Sequence, residues 1–222
     1  MQAVMETVFD ILYLCTVIFL GILMIRKANG NHTILLFGIM AVTLGLGDAF
    51  HLIPRAYALC TDGLAAHTAT LGIGKFITSI TMTVFYVLLF HIWEMRYQTR
   101  STSLRTITYL LTIVRIALCF FPQNAWTSAN APLSWGVARN LPFAVMGIFI
   151  IVLFYKQAKL HNDSCFRYMW LAITLSFLFY IPVVLWVNTI PLIGILMIPK
   201  TLAYVWVVLM GYQVMKKELN KA

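Results

Sequence analysis

Seven long apolar stretches limit what this sequence can fold into more than any other feature. Crossing a lipid bilayer takes a helix of about 20 mostly apolar residues. Windows of this kind lie near residues 7–25, 34–53, 71–93, 106–121, 135–155, 168–187 and 190–212. With 61% hydrophobic and 10% charged residues, a chain of 222 residues has more apolar surface than one soluble core can bury. We therefore predict a single all-α domain over residues 1–222, a polytopic membrane protein with seven transmembrane helices, and we exclude a soluble enzyme, a disordered chain and a disulfide scaffold.

The basic residues predict how these helices are oriented, because cytoplasmic loops of membrane proteins retain Lys and Arg. An outside N-terminus and an inside C-terminus put 11 of the 16 basic residues in the inner connections and only Arg55 in the outer ones. The eleven are Arg26, Lys27, Arg96, Arg100, Arg105, Lys156, Lys159, Arg167, Lys216, Lys217 and Lys221. The net charge of +9 therefore reflects topology, and it predicts membrane lipids rather than nucleic acid as partners.

The first span and the connections fit a multi-pass protein of a cell membrane, which we expect to be a bacterial plasma membrane. Arg26 and Lys27 follow the first apolar window, whereas a cleavable signal peptide carries its charge in front, so we expect a retained anchor. Asn188 and Thr189 predict a tight hairpin. Cys60 and Cys119 both fall near the outer face, where a disulfide could persist, although unpaired thiols are the favoured interpretation.

Seven ionisable side chains fall inside the predicted spans, and each is by default a functional hypothesis because a charge inside the bilayer is costly. They are Asp10, Asp48, His51, Lys75, Arg115, Arg139 and Lys200. At about 1.5 Å of rise per residue, all of them lie between the bilayer midplane and the outer surface. We expect the inner half to hold essentially none.

Helical spacing and proline positions predict that these groups border a cavity. Asp48, His51 and Arg55 share one helix face, and a polar band that includes Lys75, Ser79 and Tyr86 runs along the third span. Prolines stand beside buried polar groups in three spans, at residues 142, 182 and 199, and the last of these is expected to kink the seventh span. We interpret the pattern as a polar cavity rather than a solid core.

The charge balance of this outer half favours an anionic ligand. Two carboxylates oppose four cations, an excess of about two positive charges in a low-dielectric region. The candidate ligand-binding residues are Lys75, Ser79, Tyr86, Arg115, Arg139, Asn140, Lys200 and Tyr204. Three simpler interpretations stay open: an Asp48–Lys200 structural ion pair, snorkelling of Lys75 and Arg139, and a neutral Lys200 amine that acts as nucleophile or proton carrier. Neither a metal motif nor a cofactor motif is present, and we expect none.

Two segments together resemble a known family. Leu46-Gly47-Asp48-Ala49 continues to Leu52-Ile53-Pro54-Arg55, and Ile73-Gly74-Lys75-Phe76 follows with Ser79 one turn later. Over about 40 residues this is similar to the paired helices of the YhhN family, the lysoplasmalogenase-like membrane proteins. The resemblance implies a polytopic helical enzyme that cleaves the vinyl-ether bond of lysoplasmalogens. Asp48 would then be the catalytic acid or base, His51 its orienting partner and Asp10 the second carboxylate.

Two other functions use the same cavity without hydrolysis. A small receptor or transporter would bind the anionic ligand and leave it unchanged. A retinal-type pigment would use Lys200 of the seventh span for a Schiff base. The pigment is disfavoured, because Leu196 stands where microbial rhodopsins carry an acidic residue.

Overall fold

The computed structural model describes residues 2–187 and 189–220, and these residues form an all-helical bundle. Seven helices are long and apolar enough to cross a membrane, which confirms the predicted fold class. They are α1 (Gln2–Arg26), α2 (His32–Cys60), α3 (Thr68–Arg96), α4 (Thr102–Phe120), α5 (Leu133–Leu160), α6 (Met169–Trp186) and α7 (Met197–Leu219). Three short 3₁₀ segments lie in the connections, at Leu64–His67, Pro122–Asn124 and Pro191–Leu196.

The helix ends follow local capping chemistry and extend beyond most of the predicted windows. Asn31 caps α2, because its side-chain oxygen accepts hydrogen bonds from the amides of Thr33 and Ile34. The Ser101 side chain accepts a hydrogen bond from the amide of Leu104 and caps α4. The helix therefore begins at Thr102, four residues before the predicted span. The hairpin predicted at Asn188 and Thr189 falls partly outside the described residues, since Asn188 is not among them; Lys221 also lies outside them.

The seventh span differs from the prediction of a proline kink. Its first turns, Pro191–Leu196, are 3₁₀, and the α-helix starts only at Met197. Pro199 therefore lies in the first turn of α7, where a helix does not use the amide that proline lacks. The prediction that Pro199 interrupts the helix was wrong, whereas Pro142 and Pro182 do lie inside α5 and α6.

Each helix packs against its neighbour in sequence, and α1 closes the bundle by contacting α7. Additional contacts of α2 with α7 and of α3 with α5 bring α3 into the interior. Its buried face consists largely of aromatic and long aliphatic side chains, including Phe85, Tyr86, Leu89, Phe90 and Trp93. The outward faces of the helices stay apolar, as expected for contact with lipid.

The α2–α3 interface is close because it contains glycine. A Cβ atom on Gly74 would collide with the carbonyl oxygen of Phe50, and one on Gly47 would collide with the side chain of Thr81. Small residues permit this approach of two backbones inside a membrane. The hydroxyl of Thr78 then donates to the carbonyl of Gly47 across the interface, at 3.0 Å. Both glycines belong to the segments that carry the family resemblance, and packing alone accounts for them.

The antiparallel arrangement places the ends of α1, α3, α5 and α7 and the starts of α2, α4 and α6 on one side, which we call the basic end. It is the predicted cytoplasmic end. The opposite side is the outer end, where Cys60 and Cys119 lie. All four cysteines are unpaired, which agrees with the favoured interpretation.

Candidate functional site

Asp48 of α2 is held in the bundle by α1. The Tyr13 hydroxyl donates a hydrogen bond of 2.7 Å to Asp48 Oδ2, and both side chains are buried. Sequence reasoning missed Tyr13, because a tyrosine in an apolar helix carries no signal that it meets a carboxylate of the next helix. No hydrogen bond joins Asp48 to His51, its expected orienting partner, among the described residues. His51 lies one turn later, and its buried Nδ1 atom finds no partner among them.

Lys200 of α7 enters the same region from the other side. Its amine lies 5.1 Å from the ring centroid of Tyr180 and 5.5 Å from that of Tyr204, within the range of cation–π attraction. Lys200 interacts electrostatically with Asp48 and Arg115. Among the residues described, no carboxylate oxygen lies within 4.0 Å of its amine, so an Asp48–Lys200 contact ion pair is not formed.

Arg115 of α4 is the most enclosed cation, with 2% of its surface exposed. Its guanidinium carbon stacks 3.4 Å above the centroid of the Phe143 ring from α5. The Nε and Nη1 atoms are buried and find no hydrogen-bond partner in the described part of the chain. Because every guanidinium nitrogen is a strong donor, this group lacks acceptors that a bound anion would supply.

Arg139 of α5 lies near the outer end and is better partnered. Its Nη1 atom donates to Asn124 Oδ1 at 2.9 Å, and its guanidinium carbon lies 4.2 Å from the Trp126 ring centroid. The neighbouring Asn140 accepts a hydrogen bond of 3.0 Å from the Tyr180 hydroxyl. Asn140 is thus connected to the region around Lys200 through Tyr180, and Arg139 interacts electrostatically with the same tyrosine.

Tyrosine side chains connect the remaining residues of this region. The hydroxyls of Tyr86 on α3 and Tyr204 on α7 lie 3.4 Å apart. Tyr86 also makes edge contacts with Phe143, the ring on which Arg115 stacks. We call Asp48, Arg115, Arg139 and Lys200, with these tyrosines around them, the cationic cluster.

Four predicted site residues do not join the cationic cluster. Lys75 is exposed. The Ser79 hydroxyl donates to the carbonyl of Lys75 on its own helix, at 2.8 Å, and so uses its hydrogen bond locally. Asp10 is half-buried and interacts electrostatically with Arg55, Glu6 and, more weakly, Asp48. The fourth is His51, described above.

The cationic cluster is packed rather than open. Asp48 is 9% exposed and Lys200 is 7% exposed, and aromatic rings occupy the space between the charges. The polar cavity predicted from sequence is therefore absent between these side chains in the described structure.

Two buried carboxylates lie at the basic end, and Glu94, in the last turns of α3, contradicts the expectation that the inner half of the spans holds essentially none. Glu94 is 4% exposed, and its oxygens contact Arg105 Nε at 2.7 Å and His91 Nδ1 at 3.0 Å. Asp163 accepts bonds of 2.9 and 3.1 Å from Arg96. The sequence analysis missed both, because α3 extends past the predicted span and Asp163 lies in a connection.

The environment of Asp163 favours its ionised form. Burial alone would raise the pKa of this carboxyl, but the Arg96 guanidinium and the backbone amides of Cys165 and Phe166 donate to it and hold the pKa below its ordinary value. Burial and the adjacent carboxylate raise the pKa of the Tyr97 phenol, which stays protonated and also donates to Asp163.

Comparison with known proteins adds no relative: no protein-family model, curated protein or solved structure matches this chain. Among the described residues, no group of three or more His, Cys, Asp or Glu side chains could hold a metal ion.

Proposed function

We propose that this membrane protein binds an anionic amphiphile at the cationic cluster. The observation that carries the proposal is the Arg115 guanidinium, buried with two nitrogens that lack an acceptor in the described residues. A buried charge without a partner lowers stability, and proteins rarely keep one without a use. A phosphate or carboxylate group would provide the missing acceptors.

The surrounding charges support an anion over a cation. Lys200 interacts with Arg115 electrostatically, and the single carboxylate of the cluster, Asp48, already accepts a hydrogen bond from Tyr13. Three cations thus face one carboxylate. A ligand of one or two negative charges balances the cluster.

The position of Arg115 supports a ligand that arrives from the lipid. α4 packs mainly against α3 and α5, and most of its apolar side chains face outward, including Ile113, which is next but one to Arg115. A movement of α4 away from Phe143 would open Arg115 to the outer leaflet. An amphiphile would then place its anionic group at Arg115 and leave its chain among the apolar side chains of α4.

Thermal unfolding in a non-ionic detergent tests this proposal with two lipids that share one acyl chain. Oleoyl lysophosphatidate should raise the unfolding temperature more than oleoyl lysophosphatidylcholine, because only the former carries net negative charge. A ligand at 100 times its dissociation constant adds about 2.7 kcal/mol to the free energy of unfolding. Equal stabilisation by the two lipids would contradict the proposal.

Substitutions locate the effect. Arg115→Met should abolish the preference for lysophosphatidate. Lys75→Met removes a cation that is exposed near the outer end and should retain it. If both variants lose the preference equally, general electrostatic attraction is responsible and the cationic cluster is not the site.

A second candidate is hydrolysis of the vinyl-ether bond of a lysoplasmalogen, favoured by the buried Asp48–Tyr13 pair. Asp48 would give a proton to the enol carbon, water would add to the resulting oxocarbenium ion and return a proton to the Asp48 carboxylate, and the hemiacetal would break down to an aldehyde and a glycerophosphodiester without a chain. Purified protein incubated with lysoplasmalogen should release aldehyde. Asp48→Asn should abolish turnover and keep affinity. Binding without aldehyde would leave a receptor or transporter.

A further inference from the structure

A separate cleft of about 640 Å³ lies at the basic end, among the start of α2, the end of α3 and the start of α4. It belongs to a different part of the molecule from the cationic cluster. The lining residues that matter here are Leu36, His91, Glu94, Met95, Arg100 and Arg105.

Glu94 positions one arginine of this cleft. Its buried carboxylate accepts from Arg105 Nε at 2.7 Å and lies 3.0 Å from His91 Nδ1. The other ring nitrogen of His91 lies 2.8 Å from the Tyr109 hydroxyl, so the imidazole and the carboxylate support each other. The Arg105 side chain is 46% exposed, and only its Nε atom is used in this network.

The cleft therefore keeps free donor capacity and positive charge. Within the described ranges, no acceptor lies within hydrogen-bond distance of the terminal nitrogens of Arg105 or of any nitrogen of Arg100, which is exposed. Two arginines against the single carboxylate of Glu94 leave one net positive charge. Paired terminal nitrogens of arginine match the geometry of a phosphate group.

The depth of the cleft distinguishes a lipid phosphate from a free one. The cleft lies where α3 ends and α4 begins, and phospholipid headgroups lie at this level of a transmembrane helix. Leu36 and Met95 give it an apolar side next to the polar one. Such a combination suits a molecule that carries a charged headgroup and acyl chains together.

We propose that this cleft binds the phosphate group of an anionic phospholipid of the cytoplasmic leaflet, with Arg100 and the terminal nitrogens of Arg105 as its donors. Glu94 is a positioning residue that orients Arg105. The lipid differs from the ligand of the cationic cluster in leaflet and in contacting residues, so neither proposal depends on the other.

Native mass spectrometry of the purified full chain tests this assignment by titration with dioleoyl phosphatidylglycerol and dioleoyl phosphatidylcholine. The anionic lipid should bind more tightly. Arg100→Gln should weaken its binding about fivefold, the loss expected for one direct hydrogen bond to the phosphate. Arg26→Gln is the matched control, since Arg26 is an exposed arginine at the same end but outside the cleft, and it should bind as the unaltered protein does.

A second variant still tests the site if Arg100→Gln fails to fold. Arg105→Lys keeps the positive charge beside Glu94 but removes the paired terminal nitrogens of the guanidinium. It should also weaken the binding of the anionic lipid. Equal losses of affinity for the anionic lipid in Arg100→Gln and Arg26→Gln, or no loss in Arg105→Lys, would overturn the assignment of the cleft as its site. Displacement of the lipid by an equal concentration of inorganic phosphate would overturn the lipid as its occupant.

Discussion

At the basic end, Asp163 accepts two hydrogen bonds from Arg96, and Glu94 accepts one from Arg105. In the outer half, Arg115 and Lys200 are just as buried, but no carboxylate is in contact with either of them within the described residues. Ion pairs at the basic end connect helices and connections and so stabilise the fold, and Glu94 also orients Arg105 in the cleft. The buried cations of the outer half have no carboxylate contact of this kind among the described residues, and the proposed anion site rests on that difference.

Removing a carboxylate at the basic end should give the largest loss of stability. Asp163→Ala should lower the free energy of unfolding by about 2–3 kcal/mol, less than for a fully buried pair because the Arg96 side chain is 29% exposed and can be hydrated. Thermal unfolding in detergent measures the change. Asp62→Ala is the control: this carboxylate is 78% exposed and 4.0 Å from His67, so the loss should stay below about 1 kcal/mol. Equal losses of stability in the two variants would contradict a structural role for the Asp163–Arg96 pair.

Acidification should reproduce part of that loss. The pKa of Asp163 is lowered in the folded protein, so its contribution is complete above the ordinary value of 3.8 and disappears as the pH falls through the lower folded-state value. The unfolding temperature of each protein should be measured from pH 7 down to pH 3. In the acid range it should fall by a larger amount in the unaltered protein than in Asp163→Ala. Parallel curves for the two proteins would contradict this linkage.

In the outer half, removing a cation should have the opposite sign. Arg115→Met should raise the free energy of unfolding of the ligand-free protein by about 1–2 kcal/mol, because an uncompensated buried charge is replaced by a side chain of similar length. The loss of stacking on Phe143 keeps the gain small. Arg139→Met is the comparison, and it should be destabilising, because it leaves Asn124 without its donor. A destabilised Arg115→Met would assign Arg115 a structural role.

A smaller effect sharpens the role of Asp48. Tyr13→Phe removes the only hydrogen bond that Asp48 accepts in the described residues and should lower the free energy of unfolding by about 1 kcal/mol. Tyr86→Phe, which removes a longer contact of 3.4 Å with Tyr204, should cost less. Chemical unfolding of the two variants side by side decides the order, and the reverse order would mean that the Tyr13–Asp48 bond is weak.

Sequence reasoning identified the buried charges better than their partners. Arg115, Arg139, Lys200 and Asp48 stood out because a charge inside an apolar window is visible without any structure. Tyr13 and Phe143 did not, because a tyrosine or phenylalanine in an apolar helix is ordinary until a neighbouring helix brings a charge to it.

The behaviour of Ser79 and the expected cavity show what the sequence pattern leaves open. Ser79 shares a helix face with Lys75, but its hydroxyl bonds to its own helix, and side-chain spacing cannot reveal that choice. The expected cavity was inferred from proline and charge together. Aromatic side chains from α3, α5, α6 and α7 fill that space, because the interior of a bundle packs to high density wherever side chains of suitable shape meet.

The amino-acid sequence by itself determined the number of helices, their apolar character and the unequal distribution of basic residues, since each depends on composition within one window of the chain. Only the tertiary structure decided which buried charges have partners. That outcome depends on contacts between residues that are far apart in sequence, such as Asp163 with Arg96 and Tyr13 with Asp48, and on the absence of such a contact at Arg115 among the residues described.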